Sequence, residues 1–194
     1  NVKDVITKLL ENTHFINNAT EKQIADLDES SSKLELKDEF IKIFPQNFST
    51  LTNNLISGMA KPETPGQIKY LESKNVKLVV TLTKDKLDAT LFKNTSVKNI
   101  HLPIQSGNAP TEDQIKTFLT EAKQVTSTGG KIVVHCEQGL HRTGTMLALW
   151  LITNNNMSAQ QAINFVREQR PGSISPGIQE KFLHKFEEQI AEYK

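Results

Sequence analysis

The chain has 194 residues, 37% of them hydrophobic and 23% charged, and its formal net charge is +1. This length suits one domain with an ample core. A nearly neutral chain gives no electrostatic reason to expect a nucleic-acid partner. No apolar stretch approaches the roughly 20 residues of a transmembrane helix.

Cys136 is the one cysteine of the chain, so an internal disulfide is impossible. A cysteine that works as a thiolate needs reducing surroundings, which predicts a cytoplasmic location. The chain begins at Asn1 without Met, which leaves a trimmed leader or export open. His14 has no second metal-type residue at a suitable spacing, and we expect neither a metal nor another cofactor.

Residues 1–44 predict a helical extension that packs on, or precedes, a main domain at residues 45–194. Apolar residues recur at helical spacing near the N-terminus, and Thr20 with Gln23 forms a capping-box pattern. We find no catalytic constellation in this segment.

From residue 45 the pattern alternates between strands and helices. Apolar and β-branched runs predict strands at residues 54–57, 76–82, 97–102 and 131–134. Three helices are predicted to begin at a Ser or Thr N-cap that is followed three residues later by a glutamine. These pairs are Thr64 with Gln67, Thr111 with Gln114 and Ser158 with Gln161. The alternation predicts an α/β fold with a central, mostly parallel sheet of about four or five strands flanked by helices.

The helix after Arg142 is apolar on nearly every side, so we expect it to be the buried axis of the domain. The helix after Thr111 has one apolar stripe, and the last helix is amphipathic. The stripe consists of Ile115, Phe118, Leu119, Ala122 and Val125, and the last helix contributes Ile178, Phe182, Leu183, Phe186 and Ile190.

The stretch from His135 to Gly144 connects the last predicted strand to the buried helix. Backbone N–H groups in such a loop can turn inward, and the helix adds unpaired donors and its positive dipole end. Together they predict an anion cradle that fits a phosphoryl dianion. Cys136 lies at its bottom, where the donors and the Arg142 guanidinium favour a nucleophilic thiolate. Arg142 offers a planar fork for two phosphoryl oxygens.

His135-Cys136, five residues and then Arg142-Thr143-Gly144 resemble the signature of the cysteine-based protein tyrosine phosphatases. A rhodanese-type sulfurtransferase is less similar, because its cysteine loop is shorter and lacks the Arg-Thr-Gly exit. A buried, inert cysteine is the plain alternative, but such a cysteine rarely precedes this loop.

The resemblance implies a protein tyrosine phosphatase-like fold with Cys136 as nucleophile and Arg142 as phosphate ligand. It also implies that the Thr143 hydroxyl hydrogen-bonds the sulfur. The phosphate-binding loop then comprises Glu137, Gln138, Gly139, Leu140, His141 and Arg142. We expect Gly139 to have a positive φ, Glu137 and His141 to line the rim, and His135 to brace the loop by hydrogen bonds.

The segment from Arg170 to Ile174, followed by Gln179, resembles the small dual-specificity phosphatases. In those proteins an Arg-Pro-Gly-Ser segment precedes a glutamine that positions water, and the resemblance gives that role to Gln179. The alternative for Gln179 is an exposed amide at a helix start.

The loop at residues 103–110 departs from the family pattern. Relatives usually carry an aspartate there that protonates the leaving oxygen, and Ser106 occupies its position. Serine has no proton acidic enough for this task. Glu112 and Asp113 are the nearest substitute acids, although both also suit the first turn of a helix. Otherwise the leaving group departs with help from water.

The sequence therefore predicts a cysteine-dependent protein phosphatase of tyrosine or dual specificity, in a phosphatase domain at residues 45–194, whose partner is a phosphorylated protein. A phosphate-binding pseudophosphatase or very slow phosphatase is the main alternative. A phosphoinositide phosphatase acting on phospholipid is a further one, disfavoured by Glu137 and by the lack of lysine in the loop. An adaptor acting through residues 1–44 and any oligomeric state stay open.

Overall fold

The structure, a computed structural model, describes residue 38, residues 40–51 and residues 54–193. Residues 40–43 are helical, and the other helices predicted in residues 1–44 lie outside the described residues. Among the helices of the described part, none is long and apolar enough to cross a membrane.

The described residues form one sheet of five strands. They are β1 Ser49–Thr50, β2 Ile56–Met59, β3 Val76–Thr81, β4 Lys98–His101 and β5 Lys131–His135. Their order across the sheet is β1-β2-β5-β3-β4. β1 pairs antiparallel with β2, and all other pairs are parallel. The predicted mostly parallel sheet is confirmed, and β5, which leads into the cradle, is its middle strand.

The edge of the sheet at β1 and β2 differs from the prediction. β2 is Ile56–Met59 rather than residues 54–57, and β1 has no predicted counterpart. Asn54 has a left-handed φ of 53°, which is typical of a turn. Gly58 is a poor strand former, but pairing with β1 on one side and β5 on the other outweighs its local preference.

The helices are α1 Pro65–Ser73, α2 Glu112–Thr126, α3 His141–Asn154, α4 Ala159–Gln169 and α5 Ile178–Glu188, with 3-10 turns at Ala89–Phe92 and Ile190–Glu192. The capping boxes predicted for α1, α2 and α4 are all present. In each, the N-cap hydroxyl accepts from the N3 backbone N–H, and the N3 glutamine accepts from the N-cap backbone. Such a cap stabilises a helix by about 1 kcal/mol and fixes where it begins.

The core has two parts, one on each face of the sheet. β5 contributes to both, because Ile132 and Val134 face α2, α3, α4 and α5 while Val133 faces α1. α3 is the predicted buried axis, and all of its residues from Thr143 to Ile152 are buried.

Ile178 is the exception to the predicted apolar face of the last helix, because its side chain is 60% exposed. It is the first residue of α5, and the core contacts of that helix come from Leu183 and Phe186 further along.

Residues 40–44 pack against α1. The Phe44 and Tyr70 rings lie 5.0 Å apart in an edge-on contact, and Gln67 Nε2 donates to the Ile41 carbonyl at 2.8 Å. The end of the predicted extension therefore shares the core of the main domain. The boundary between residues 44 and 45 stays a prediction.

Candidate active site

β5 and α3 place the cradle at the carboxyl edge of the parallel sheet. α1, α2 and α4 begin with capping boxes, whereas the N-terminus of α3 has no side-chain cap. Its N–H groups are thus available to an anion. Gly139 has the predicted positive φ, 74°, and a Cβ there would lie 2.3 Å from the Met59 carbonyl oxygen. Only glycine fits this turn.

Three carbonyls of the loop are bound from outside it. Glu137 O accepts from the Lys61 backbone N–H at 2.9 Å, and Gln138 O accepts from Asn47 Nδ2 at 2.8 Å. The Gly139 carbonyl is also held from outside, as described below. With the carbonyls turned out, the N–H edge of the loop faces the sulfur, and the Gly139 and Thr143 N–H groups act on Cys136.

Cys136 is 4% exposed, and Thr143 Oγ1 donates a hydrogen bond to its sulfur at 3.2 Å. Burial alone would raise the pKa of the thiol. Hydrogen bonds from the Thr143 hydroxyl and from the backbone N–H groups of Thr143 and Gly139, with the charge of Arg142, instead lower the pKa of Cys136 below its ordinary value. The geometry is that of a stabilised thiolate, and the catalytic roles of both residues stay predictions.

Arg142 is half-buried and uses one nitrogen to hold the walls of the site. Its Nη1 donates to the Ile104 carbonyl at 3.0 Å and to the Leu82 carbonyl at 3.3 Å. Within the described residues, Nε and Nη2 have no hydrogen-bond partner. The outer edge of the guanidinium therefore fits two oxygens of one phosphoryl group.

The other residues of the predicted phosphate-binding loop differ in exposure. The side chains of Glu137, Gln138 and His141 are exposed, Leu140 is intermediate and Gly139 is buried. This agrees with the expectation that Glu137 and His141 line the rim, and it leaves the backbone N–H groups as the donors that the loop offers to an anion.

His135 is fully buried behind the loop and braces it, as predicted. Its Nδ1 bonds the Cys136 carbonyl at 3.0 Å, so Nδ1 carries the proton and Nε2 accepts from Thr81 Oγ1 at 2.8 Å. Burial lowers the pKa of His135 to about 4. The ring is therefore neutral near pH 7.

Arg170, to which the sequence analysis gives no role, is buried and holds the cradle from outside. It is 3% exposed, and its guanidinium donates to the Gly139 carbonyl at 2.6 Å, the Gly58 carbonyl at 3.2 Å and Ser49 Oγ at 2.5 Å. Burial lowers the pKa of Arg170 to about 10, and the negative charge of Cys136 acts in the opposite direction. In the sequence Arg170 is only the first residue of the segment that resembles the small dual-specificity phosphatases, and that resemblance gives no sign of its burial.

Gln179 is buried, so the alternative of an exposed helix-start amide is wrong. Its Oε1 accepts from the Ser175 N–H at 2.9 Å and from Ser175 Oγ at 3.0 Å. Its Nε2 donates to the Asn108 carbonyl at 3.1 Å. Gln179 thus joins the start of α5 to the loop at residues 103–110.

The candidate acids lie on that loop and at the start of α2. Ser106 is exposed in a turn closed by the Asn108 N–H and the Gln105 carbonyl at 3.0 Å. Glu112 is exposed and pairs with Lys116 Nζ at 2.9 Å, and this hydrogen bond and charge lower the pKa of Glu112. Asp113 is also exposed. Neither carboxylate is hydrogen-bonded to the cradle in the described part of the chain.

A family model described as Swiss Army Knife protein, DSP-PTPase phosphatase domain, matches residues 45–183. The tyrosine-protein phosphatase CDC14 of Saccharomyces cerevisiae is 29% identical over 194 residues, which cover 91% of this chain and 34% of the relative. The dual specificity protein phosphatase CDC14B of Mus musculus is 31% identical over 150 residues, 75% of this chain and 30% of the relative. The chain thus spans about a third of the length of these relatives.

A solved structure, Tk-PTP in the active form, has a TM-score of 0.62 and 26% identity, covering 70% of this chain and 93% of that one. The range matched by the family model contains Cys136, Arg142 and Gln179. The chain therefore belongs to the Swiss Army Knife DSP-PTPase phosphatase domain family, among the cysteine-based protein tyrosine phosphatases of the small dual-specificity type.

Proposed function

We propose that this chain is a phosphomonoester hydrolase that acts on phosphorylated proteins, as a tyrosine or dual-specificity phosphatase. The observation that carries the proposal is the 3.2 Å hydrogen bond from Thr143 Oγ1 to Cys136 Sγ, because it stabilises a thiolate at the bottom of an anion cradle. The printed names of the relatives, tyrosine-protein phosphatase and dual specificity protein phosphatase, support the same class of substrate.

In the first step the Cys136 thiolate attacks phosphorus. The S–P bond forms as the bond between phosphorus and the leaving oxygen breaks, and that oxygen takes a proton from an acid or from water. The loop N–H groups and the outer edge of Arg142 bind the equatorial oxygens of the phosphoryl group. Because these donors are already in place, they stabilise the transition state without reorganisation.

In the second step water attacks the cysteinyl phosphate. The S–P bond breaks, inorganic phosphate leaves and the sulfur returns to a thiolate. Thr143 Oγ1 stabilises this leaving thiolate through the hydrogen bond that it already donates.

We place this activity in the cytoplasm. An acidic thiol is oxidised more readily than an ordinary one, and Cys136 has no second cysteine with which to form a protective disulfide. A reducing compartment keeps such a nucleophile active.

A very slow phosphatase, or one that only holds its phosphorylated partner, is the second candidate. It is favoured by Ser106 at the position of the usual acid and by Glu112, which is paired with Lys116. A carboxyl group with a lowered pKa is protonated in a smaller fraction of molecules near neutral pH, so fewer molecules can use it as a general acid.

Phosphate release from matched phosphotyrosine peptides, phosphoserine peptides and phosphoinositide vesicles tests the proposal, with Cys136→Ser as the inactive control. We expect turnover of phosphotyrosine peptides above the control. Tight binding of those peptides without turnover would favour the second candidate, and selective turnover of the vesicles would replace phosphoprotein by phospholipid as the substrate.

A further inference from the structure

Ile174 has a backbone conformation that its side chain disfavours. It is 1% exposed and has a φ of 60°, in the left-handed region that a β-branched residue rarely adopts. Such a conformation persists only where neighbouring contacts hold it in place. The hydroxyl of Ser173, next to it, is buried without a hydrogen-bond partner within the described residues. This turn therefore needs an external clamp.

Arg167, on α4, is that clamp. Its Nε donates to the Ser173 carbonyl at 3.1 Å, and its Nη2 donates to the Ile174 carbonyl at 2.7 Å. Its Nη1 lies 2.6 Å from Glu180 Oε1 on α5. All three nitrogens of the guanidinium are thus used, and its planar shape fixes the turn relative to both helices.

The clamped turn lies between the helix of the cradle and Gln179. On one side it contacts the first turn of α3, where a Cβ on Gly144 would lie 2.7 Å from Ser173 Cβ. On the other side Ser175, the residue after Ile174, donates from both its N–H and its hydroxyl to Gln179 Oε1. A shift of the turn would move the Gln179 amide relative to the cradle.

The orientation of the Gln179 amide follows from its partners. The Ser175 N–H can only donate, so the oxygen of the amide must face Ser175. Both lone pairs of that oxygen are used there, and one N–H is used on the Asn108 carbonyl. One N–H remains for a water molecule or a phosphoryl oxygen, and its direction depends on where Ser175 holds the oxygen.

We propose that Arg167 is a positioning residue for the hydrolysis of the cysteinyl phosphate, acting through the turn at Ser173–Ser175 on the amide of Gln179. The inference rests on the proposed function and on the water-positioning role that the resemblance gives to Gln179. Arg167 touches no reacting atom, so its replacement should disturb the second step through Gln179 and leave Cys136 and the first step nearly unchanged.

A double-mutant cycle on p-nitrophenyl phosphate tests this coupling, with Arg167→Gln, Gln179→Ala and the double variant. We expect Arg167→Gln to slow the steady-state rate after the burst of nitrophenol on the order of tenfold, because small displacements of a catalytic group are costly. kcat and KM should fall together and leave kcat/KM nearly unchanged. Since both residues act through one amide, the double variant should be no slower than Gln179→Ala alone.

Glu168→Gln is the matched control, because Glu168 is exposed on the same helix. We expect it to keep the wild-type kcat. A wild-type kcat for Arg167→Gln, effects that multiply in the double variant, or a loss confined to kcat/KM would each overturn the inference. Wild-type protein without any turnover would instead overturn the proposed function.

Glu180→Gln tests the same inference if Arg167→Gln does not fold. It removes the ion pair at 2.6 Å but leaves both bonds to the Ser173 and Ile174 carbonyls. We expect Glu180→Gln to lower kcat less than Arg167→Gln does. In protein that already carries Gln179→Ala, it should not lower kcat further. An unchanged kcat for a folded Glu180→Gln would then count against the clamp.

Discussion

Arg170 Nη2 donates a 2.6 Å hydrogen bond to the Gly139 carbonyl, at the point where the cradle crosses the end of β2. The guanidinium is buried, and within the described residues no carboxylate pairs with it. The negative group that acts on it is Cys136. A buried cation without an opposite charge is costly, so Arg170 and the Cys136 thiolate stabilise each other.

Arg170→Gln should therefore raise the pKa of Cys136, whereas Arg170→Lys, which keeps the charge, should change it less. Both variants should lose turnover, because neither side chain reaches all three acceptors of the guanidinium. The measurement is the rate of alkylation by iodoacetamide against pH. For Arg170→Gln the curve should move to higher pH, and a curve superimposed on that of the wild type would contradict this account.

Cys136→Ser should abolish turnover, because a neutral hydroxyl cannot replace the thiolate as nucleophile. The fold and the binding of inorganic phosphate should be largely retained, since the donors of the cradle come from the backbone and from Arg142. Circular dichroism and phosphate binding by calorimetry provide the controls. Hydrolysis near the wild-type rate would exclude the cysteine mechanism.

Arg142→Lys should lower both turnover and phosphate affinity. An ammonium group cannot present two parallel N–H donors to one phosphoryl group, and it cannot also hold the Ile104 and Leu82 carbonyls. Steady-state kinetics on p-nitrophenyl phosphate measure the loss. Kinetics equal to those of the wild type would place Arg142 outside the site.

His135 should make the stability of the fold pH-dependent. In the unfolded chain its pKa returns to the ordinary value of 6.5, whereas burial holds it at about 4 in the folded state. Between these two pKa values the unfolded state binds more protons than the folded state. The free energy of unfolding is therefore unaffected by His135 above pH 6.5 and decreases as the pH drops to about 4. The shift in the pKa of His135 corresponds to a loss of about 3 kcal/mol in the free energy of unfolding.

Urea unfolding of the wild type and of His135→Asn, at several pH values between 7 and about 4.5, isolates this contribution. The variant keeps a donor for the Cys136 carbonyl but has no titrating ring. We expect it to be less stable at pH 7 and to lose less stability on acidification. Parallel pH curves for the two proteins would show that His135 does not titrate in this range.

Ser106→Asp should raise turnover on phosphotyrosine peptides. General acid catalysis contributes roughly 10² to 10⁴ in rate and matters most for basic leaving groups. In the wild type turnover should thus fall steeply as the leaving-group pKa rises, and in Ser106→Asp this dependence should flatten. A series of aryl phosphates measures the slope.

Glu112→Gln and Asp113→Asn should be measured with the same series of aryl phosphates. If Glu112 or Asp113 acts as the acid, turnover of the wild type depends only weakly on the leaving-group pKa. Replacing that carboxylate by its amide should then make the dependence steep. If Ser106→Asp and both amides change nothing, the loop does not close over the phosphate, and the site is better described as a binding pocket with slow turnover.

The sequence by itself determined most of the architecture and the position of the cradle, and it predicts Cys136 as the nucleophile. Three capping boxes set the starts of α1, α2 and α4, since a cap is a local hydrogen-bond pattern that needs no tertiary partner. Apolar runs set β3, β4 and β5. The ten residues from His135 to Gly144 set the cradle, because strand, turn and helix follow one another there along the chain.

Tertiary structure decided the features whose partners lie far apart in sequence. β1 exists because Ser49–Thr50 pairs with β2, and Arg170 is buried because its acceptors come from three separate segments. The Gln179 side chain is positioned by hydrogen bonds with Ser175 and with Asn108, which lies 71 residues away in sequence. Local patterns carry no record of such contacts, because they form only when the sheet and helices have packed.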